Sequence, residues 1–341
     1  MLDTEEERIL KRRIMEKEIR RHFSKLGFAY LAGSLVIYAV QFLVATAGKR
    51  FAPGVMADAN GSFILLMLTM YGISMPFMGW LVSRIPAQKV EEKKMTAGQW
   101  IIAFLMCYGL MYAGNLIGTA LTFGIGMVKG TGVENPLVST VMQLNPWVTF
   151  VIVVLIAPTA EELLFRKLLT ERIVKYGELP AVLASGLFFG LFHGNLNQFS
   201  YAFLFGLFLG FIYVKTGKLR YTIGLHMAIN FIGSSLGTWM LRVTGYMDTM
   251  ETLTEFLNTK DLTVLADLGN GIVGMFLFGS YASLILMMAG AGLILTWLNR
   301  KKFVCCAPAE KAASLGKKKA AVMIGNPGIL LYGVFWIGIM I

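Results

Sequence analysis

Charge, cysteine and histidine are what this 341-residue chain has least of. Only 15% of its residues are charged against 56% hydrophobic, with a mean hydropathy of +0.65. A water-soluble domain carries close to a quarter charged residues, so that class is excluded. The three cysteines are Cys107, inside an apolar run, and the adjacent pair Cys305-Cys306. Without a CxxC spacing they make neither a disulfide framework nor a thiolate metal motif. There is no Walker-type phosphate loop, no internal repeat of the kind that marks many secondary transporters, and no polar segment large enough to fold alone. What remains is an all-α polytopic transmembrane helical bundle.

Apolar runs long enough to cross roughly 30 Å of hydrocarbon occur near 28–47, 62–83, 98–128, 146–168, 199–214, 221–241, 270–298 and 321–341. A shorter run, PAVLASGLFFGLFHG at 180–194, must also cross if its neighbours are to alternate sides. This predicts about eight or nine spans, the last interrupted by Asn326-Pro327. Basic clusters at Arg8 to Lys25, Arg84 to Lys94, Arg166 to Lys175, Lys215 to Arg220 and Arg300 to Lys319 then all fall on one face. By the positive-inside rule that face is cytoplasmic, and so is the amino terminus. The opposite loops hold Lys49, Arg50 and Asp58, then Lys129 and Glu134, then an acidic segment from Asp248 to Asp267. The net charge of +11 sits beside spans, where lipid headgroups and topology account for it without nucleic acid.

The first 27 residues read as a basic amphipathic helix on the inner leaflet. Thr4 caps it with Glu7 three residues on, and Ile9, Leu10, Ile14 and Ile19 share a face. The charged stretch is too long for a cleavable signal peptide. DTMETLTEFLN at 248–258 reads as a second amphipathic helix, on the outer surface.

Against this apolar background TAEELLFR, 159–166, stands out. Ionisable residues inside a span are costly and therefore functional by default. Glu162 and Arg166, four residues apart, can pair on one helix face. Glu161 points about 100° away from Glu162 and is free for another partner. Two of the three histidines also lie in spans: His193, one turn from Phe189, and His226, one turn from Asn230. His22 belongs to the basic amino-terminal helix. Counted from the basic ends of their spans, Glu161 and His226 lie about 8–9 Å deep and His193 about 20 Å deep at 1.5 Å per residue. That mismatch requires the His193 helix to tilt or to start above the membrane. The Phe- and Met-rich stretches read as packing and lipid contact.

EELLFR, FFGLFH and HMAIN resemble, in order, the EExxxR, FxxxH and HxxxN motifs of the CPBP family of intramembrane proteases, which includes type II CAAX prenyl endopeptidases and relatives linked to bacteriocin processing and self-immunity. The resemblance covers about 145–241. Together with the apolar runs and the charge pattern it gives the following division: 1–27 a cytoplasmic amphipathic basic helix, 28–144 amino-terminal spans, 145–241 a catalytic core, 242–269 an extracytoplasmic segment and 270–341 carboxyl-terminal spans with a basic cytoplasmic loop. It also implies a multi-pass protein of the cell membrane, hydrolysing a membrane-embedded or lipidated peptide or protein at a water-filled site that opens to the cytoplasm. In that reading Glu161 and His193 activate water, His226 and Asn230 stabilise the oxyanion, and Glu162 and Arg166 hold the helix. A divalent metal such as zinc on Glu161, His193 and His226 is an open alternative, since no compact HExxH motif decides it. A non-catalytic scaffold or self-immunity protein of the same fold, and an ion-coupled transporter, are the competing functions.

Overall fold

The computed structural model describes residues 5–130, 136–263, 268, 271–306 and 319–340. Thr4, Glu134, Asp267 and the basic loop 307–318 therefore lie outside the described residues. Among the described residues there is no strand. The main helices are α1 (Glu5–Phe51), α2 (Ala59–Ser83), α3 (Ala97–Lys129), α4 (Pro146–Tyr176), α5 (Glu178–Phe192), α6 (Leu196–Thr216), α7 (219–243), α8 (Tyr246–Thr259), α9 (Gly271–Asn299) and α10 (Pro327–Met340). Six of the helical stretches are long and apolar enough to cross a membrane, and α5 and α10 are shorter apolar helices.

Each apolar run of the sequence falls on one of these helices, with two differences in how they connect. The amino-terminal segment is not a separate surface helix: α1 continues without a break from Glu5 to Phe51. No glycine or proline occurs between Glu5 and Leu26 to stop it. Ile9, Leu10 and Ile14 stay exposed and only Ile19 reaches the core. At the other end of the chain, the break at Gly325 and Asn326 leaves α10 only 14 residues long.

Antiparallel α5 and α6 form the centre, with α6 packed on α3 and α3 on α9, while α1 packs between α2 and α10. Close approach depends on small residues, the usual device where lipid supplies no hydrophobic drive. At the α5–α6 crossing a Cβ on Gly206 would stand 2.9 Å from Gly186 Cα. The chain reverses between α5 and α6 at Gly194, whose φ of +59° suits glycine.

The basic clusters visible in the described residues meet at one end of the bundle. His22 donates to the Arg172 carbonyl at 2.8 Å, Lys215 pairs with Glu178, and the Cys306 N–H donates to Glu178 at 2.6 Å. The non-helical segment 86–96 lies across the same end. Its Gln88 N–H donates to Glu171 O at 2.6 Å, its Lys93 N–H to Thr216 O at 2.8 Å and its Met95 N–H to the Tyr221 hydroxyl at 3.0 Å. At the opposite end Asn145 N–H donates to Asn60 at 2.6 Å, and Arg242 to the Leu144 carbonyl at 2.6 Å.

Candidate active site

The helix carrying both glutamates is irregular on each side of them. Wide π turns occupy Phe150–Ile156 and Leu163–Leu168, with a short α-helical stretch, Ala157–Glu162, between. Pro158 explains the first: its ring would strike the carbonyl four residues back in an α-helix, and a wider turn relieves the clash. In the π register, where Ala157 N–H reaches Ile152 O, the donor due to Val153 O would be residue 158. Proline has none. Asn230 Nδ2 donates to Val153 O at 2.9 Å instead, tying α7 to α4. Carbonyls beside the second wide turn are met likewise, Leu164 O by the Tyr30 hydroxyl at 2.8 Å and Phe165 O by Ser185 at 3.3 Å. Buried backbone at membrane depth requires such partners.

Glu162 and Arg166 form the expected pair. Arg166 Nε lies 3.0 Å from Glu162 Oε2 with both side chains fully buried. The contact has the distance of an ion pair without the angle of a hydrogen bond, since both atoms are buried without a hydrogen-bond partner among the described residues. The guanidinium lies over the Phe189 ring, 4.6 Å from its centroid, a favourable cation–π arrangement in a dry site. Glu162 also accepts from His226, Nδ1 to Oε1, at 2.9 Å. It therefore orients an imidazole as well as holding an arginine.

Glu161, turned away, faces two other groups. Its Oε2 lies 3.8 Å from His226 Nε2, and its Oε1 accepts from the Tyr71 hydroxyl at 3.4 Å. The first distance is too long for a direct hydrogen bond, and a single oxygen can sit within reach of both groups. His193 caps α5, and its Nδ1–H donates to Phe189 O at 2.8 Å. That leaves Nε2 as the acceptor in the neutral ring. Phe189 separates the two histidines, its ring centroid 4.8 Å from His193 and 5.7 Å from His226. Phe205 closes the other side of His226 at 4.8 Å.

The structure thus links Glu162, Arg166 and His226 directly, brings Glu161 to 3.8 Å from His226, sets His193 behind the Phe189 ring, and holds Asn230 one turn beyond His226. Tyr71 escaped the sequence reading because one tyrosine in TMYGIS carries no spacing signal. Phe189 and Phe205 pack, as expected, but they wall the two histidines. No three His, Cys, Asp or Glu side chains converge as a metal-ligand set among the described residues. His226 and His193 each commit Nδ1 and keep Nε2 free, as metal-ligating histidines do, but as placed they and Glu161 are not gathered into one ligand set, and no step is routed through a metal.

The helix ends also differ from expectation. Arg166 is fully buried in the protein, and α4 runs on past it to Tyr176. Glu161 is 15 residues from each end of α4, Pro146 and Tyr176, or about 22 Å at 1.5 Å per residue. His193 is likewise 15 residues past Glu178, the start of α5. The two therefore reach one level, and no unusual tilt is needed.

Residues 143–232 match the family model described as Type II CAAX prenyl endopeptidase Rce1-like. The match supports the CPBP family of intramembrane proteases for this segment, which contains Glu161, Glu162, Arg166, His193, His226 and Asn230 and leaves out Tyr71. No curated protein and no solved structure matches the chain.

Proposed function

We propose that this protein is an intramembrane endopeptidase that hydrolyses a peptide bond of a membrane-embedded or lipidated substrate with water activated by Glu161 and His193. The observation that carries the reading is the placement of Glu161 beside His226, 3.8 Å apart at mid-helix depth, with Glu162 and Arg166 fixed behind them. A water held on Glu161 loses its proton to that carboxylate or to His193 Nε2 as its oxygen attacks the substrate carbonyl, and the proton passes to the amide nitrogen as the C–N bond breaks. His226, oriented by Glu162, offers Nε2 to the developing oxyanion when that nitrogen carries a proton. Asn230 gives one N–H to Val153 O and retains a second for the same oxyanion. The amino terminus and the basic end face the cytoplasm, as the positive-inside rule requires, and the site opens to that side. The family's description makes a prenylated CAAX peptide the first substrate to test.

The test pairs an internally quenched farnesylated CAAX peptide with comparative proteomics of membranes carrying wild-type protein or Glu161→Ala. Cleavage by wild type alone, or membrane peptides that accumulate uncleaved in the variant, supports the proposal. Identical peptide populations, with no cleavage of the peptide, refute it in favour of a non-catalytic protein of this fold.

A further inference from the structure

At the basic end, outside the active site, α1 and the start of α10 border an open cleft of about 450 Å3 lined by Lys17, Arg20, Arg21 and Lys25 together with Phe28 and Pro327. Its four cations lie within nine residues of one helix and are all exposed. Like charges at i,i+4, as in Lys17, Arg21 and Lys25, destabilise a helix unless a counter-charge is supplied. No ion pair within the described residues supplies one: the Arg12–Glu16 pair lies a turn earlier, and Arg20 is spent on the Gly325 carbonyl at 2.5 Å. The walls are fixed, because Arg20 and the Gly328 N–H, which donates to Ser24 at 3.2 Å, tie the start of α10 to α1. A Cβ on Gly328 would overlap the Ser24 carbonyl, so the two helices touch backbone to backbone just below.

Below the cations the same stripe of α1 turns apolar and stays uncovered. Phe28, Leu35 and Phe42 follow at seven-residue intervals, 44%, 50% and 71% exposed. A fixed, cation-lined cleft opening onto a continuous apolar track has the chemistry of an anionic phospholipid, phosphate at the top and acyl chain along the helix. We propose that this cleft is a binding site for the headgroup phosphate of an anionic phospholipid, held by Lys17, Arg21 and Lys25. The binding proposal itself is independent of catalysis.

The test uses the full-length protein in nanodiscs of phosphatidylcholine doped with phosphatidylglycerol, with retained lipid read by native mass spectrometry. Wild type is expected to keep phosphatidylglycerol over phosphatidylcholine. Lys17→Gln/Arg21→Gln/Lys25→Gln removes only exposed side chains and should weaken retention on the order of a hundredfold. Arg300→Gln/Lys301→Gln/Lys302→Gln removes equal charge from the same end and should leave retention unchanged. Equal losses in both variants, or none in the first, overturn the site. Millimolar inorganic phosphate should not displace the lipid, and displacement would reassign the cleft to free anions.

Discussion

Two adjacent carboxylates of one helix do different work because one helical step separates their surroundings. Glu162 is fully buried between Arg166 and His226, whereas Glu161 meets the site through His226 and Tyr71. Removing Glu162 strands a buried guanidinium and an imidazole, a loss of about 3–5 kcal/mol for a broken buried pair. Glu162→Ala should therefore lower the melting temperature on the order of 10 °C. Glu161→Gln keeps the shape and an acceptor for Tyr71, so it should abolish proteolysis while melting within about 2 °C of wild type. Activity in Glu161→Gln, or equal melting of the two variants, would contradict this division. Tyr71 takes the prediction outside the family-matched segment. Its hydroxyl holds Oε1 of Glu161, so Tyr71→Phe should reduce kcat about tenfold with KM and melting unchanged, as for a lost hydrogen bond to a charged group. Unaltered kcat would reduce the contact to packing. The pairing of Glu162 with Arg166 was legible in the sequence because i,i+4 spacing fixes a shared face. Tyr71 was not, since its meeting with Glu161 spans 90 positions and no local pattern encodes it.

At the scale of elements, a proline follows two of the wide turns in the site-bearing helices, whereas Leu163–Leu168 and Phe231–Leu236 widen without one. Pro76 follows the π turn Met70–Ser74 that carries Tyr71, as Pro158 follows the turn 150–156 before Glu161. The apolar runs located these helices, but a hydropathy pattern is blind to such turns, and the end of the Glu161 helix was set too early for a related reason. Counting from Arg166 assumed that a charge marks the end of a span, whereas here it is neutralised in the interior. The Asn230 link to Val153 O is the testable consequence of Pro158. Asn230→Ala orphans that carbonyl and should cost about 1–3 kcal/mol of stability. In a Pro158→Ala background the helix regains an N–H of its own, and most of that cost should vanish. Any role at the oxyanion is separable, because kcat should then fall roughly 10²–10³-fold on Asn230→Ala in both backgrounds. Full additivity of the two stability losses would show that Asn230 is not standing in for the missing donor.

For the whole molecule, the symmetry of α4 around Glu161 means that depth alone does not select the side from which water and substrate arrive. The selection rests on charge: segments around Arg20, Lys93, Arg172, Lys215 and Cys306 meet at one end, and insertion retains such clusters in the cytoplasm. The chain contains its own reporter of this orientation. Cys306 is exposed at the basic end, and Cys107 is fully buried. With Cys305→Ala leaving one accessible thiol, a membrane-impermeant maleimide should label Cys306 in inside-out vesicles and spare it in right-side-out ones. Cys107 should react only after denaturation. Labelling of Cys306 in right-side-out vesicles would invert the molecule, move the basic cleft of α1 and α10 to the outer leaflet, and require the substrate to approach Glu161 from outside the cell.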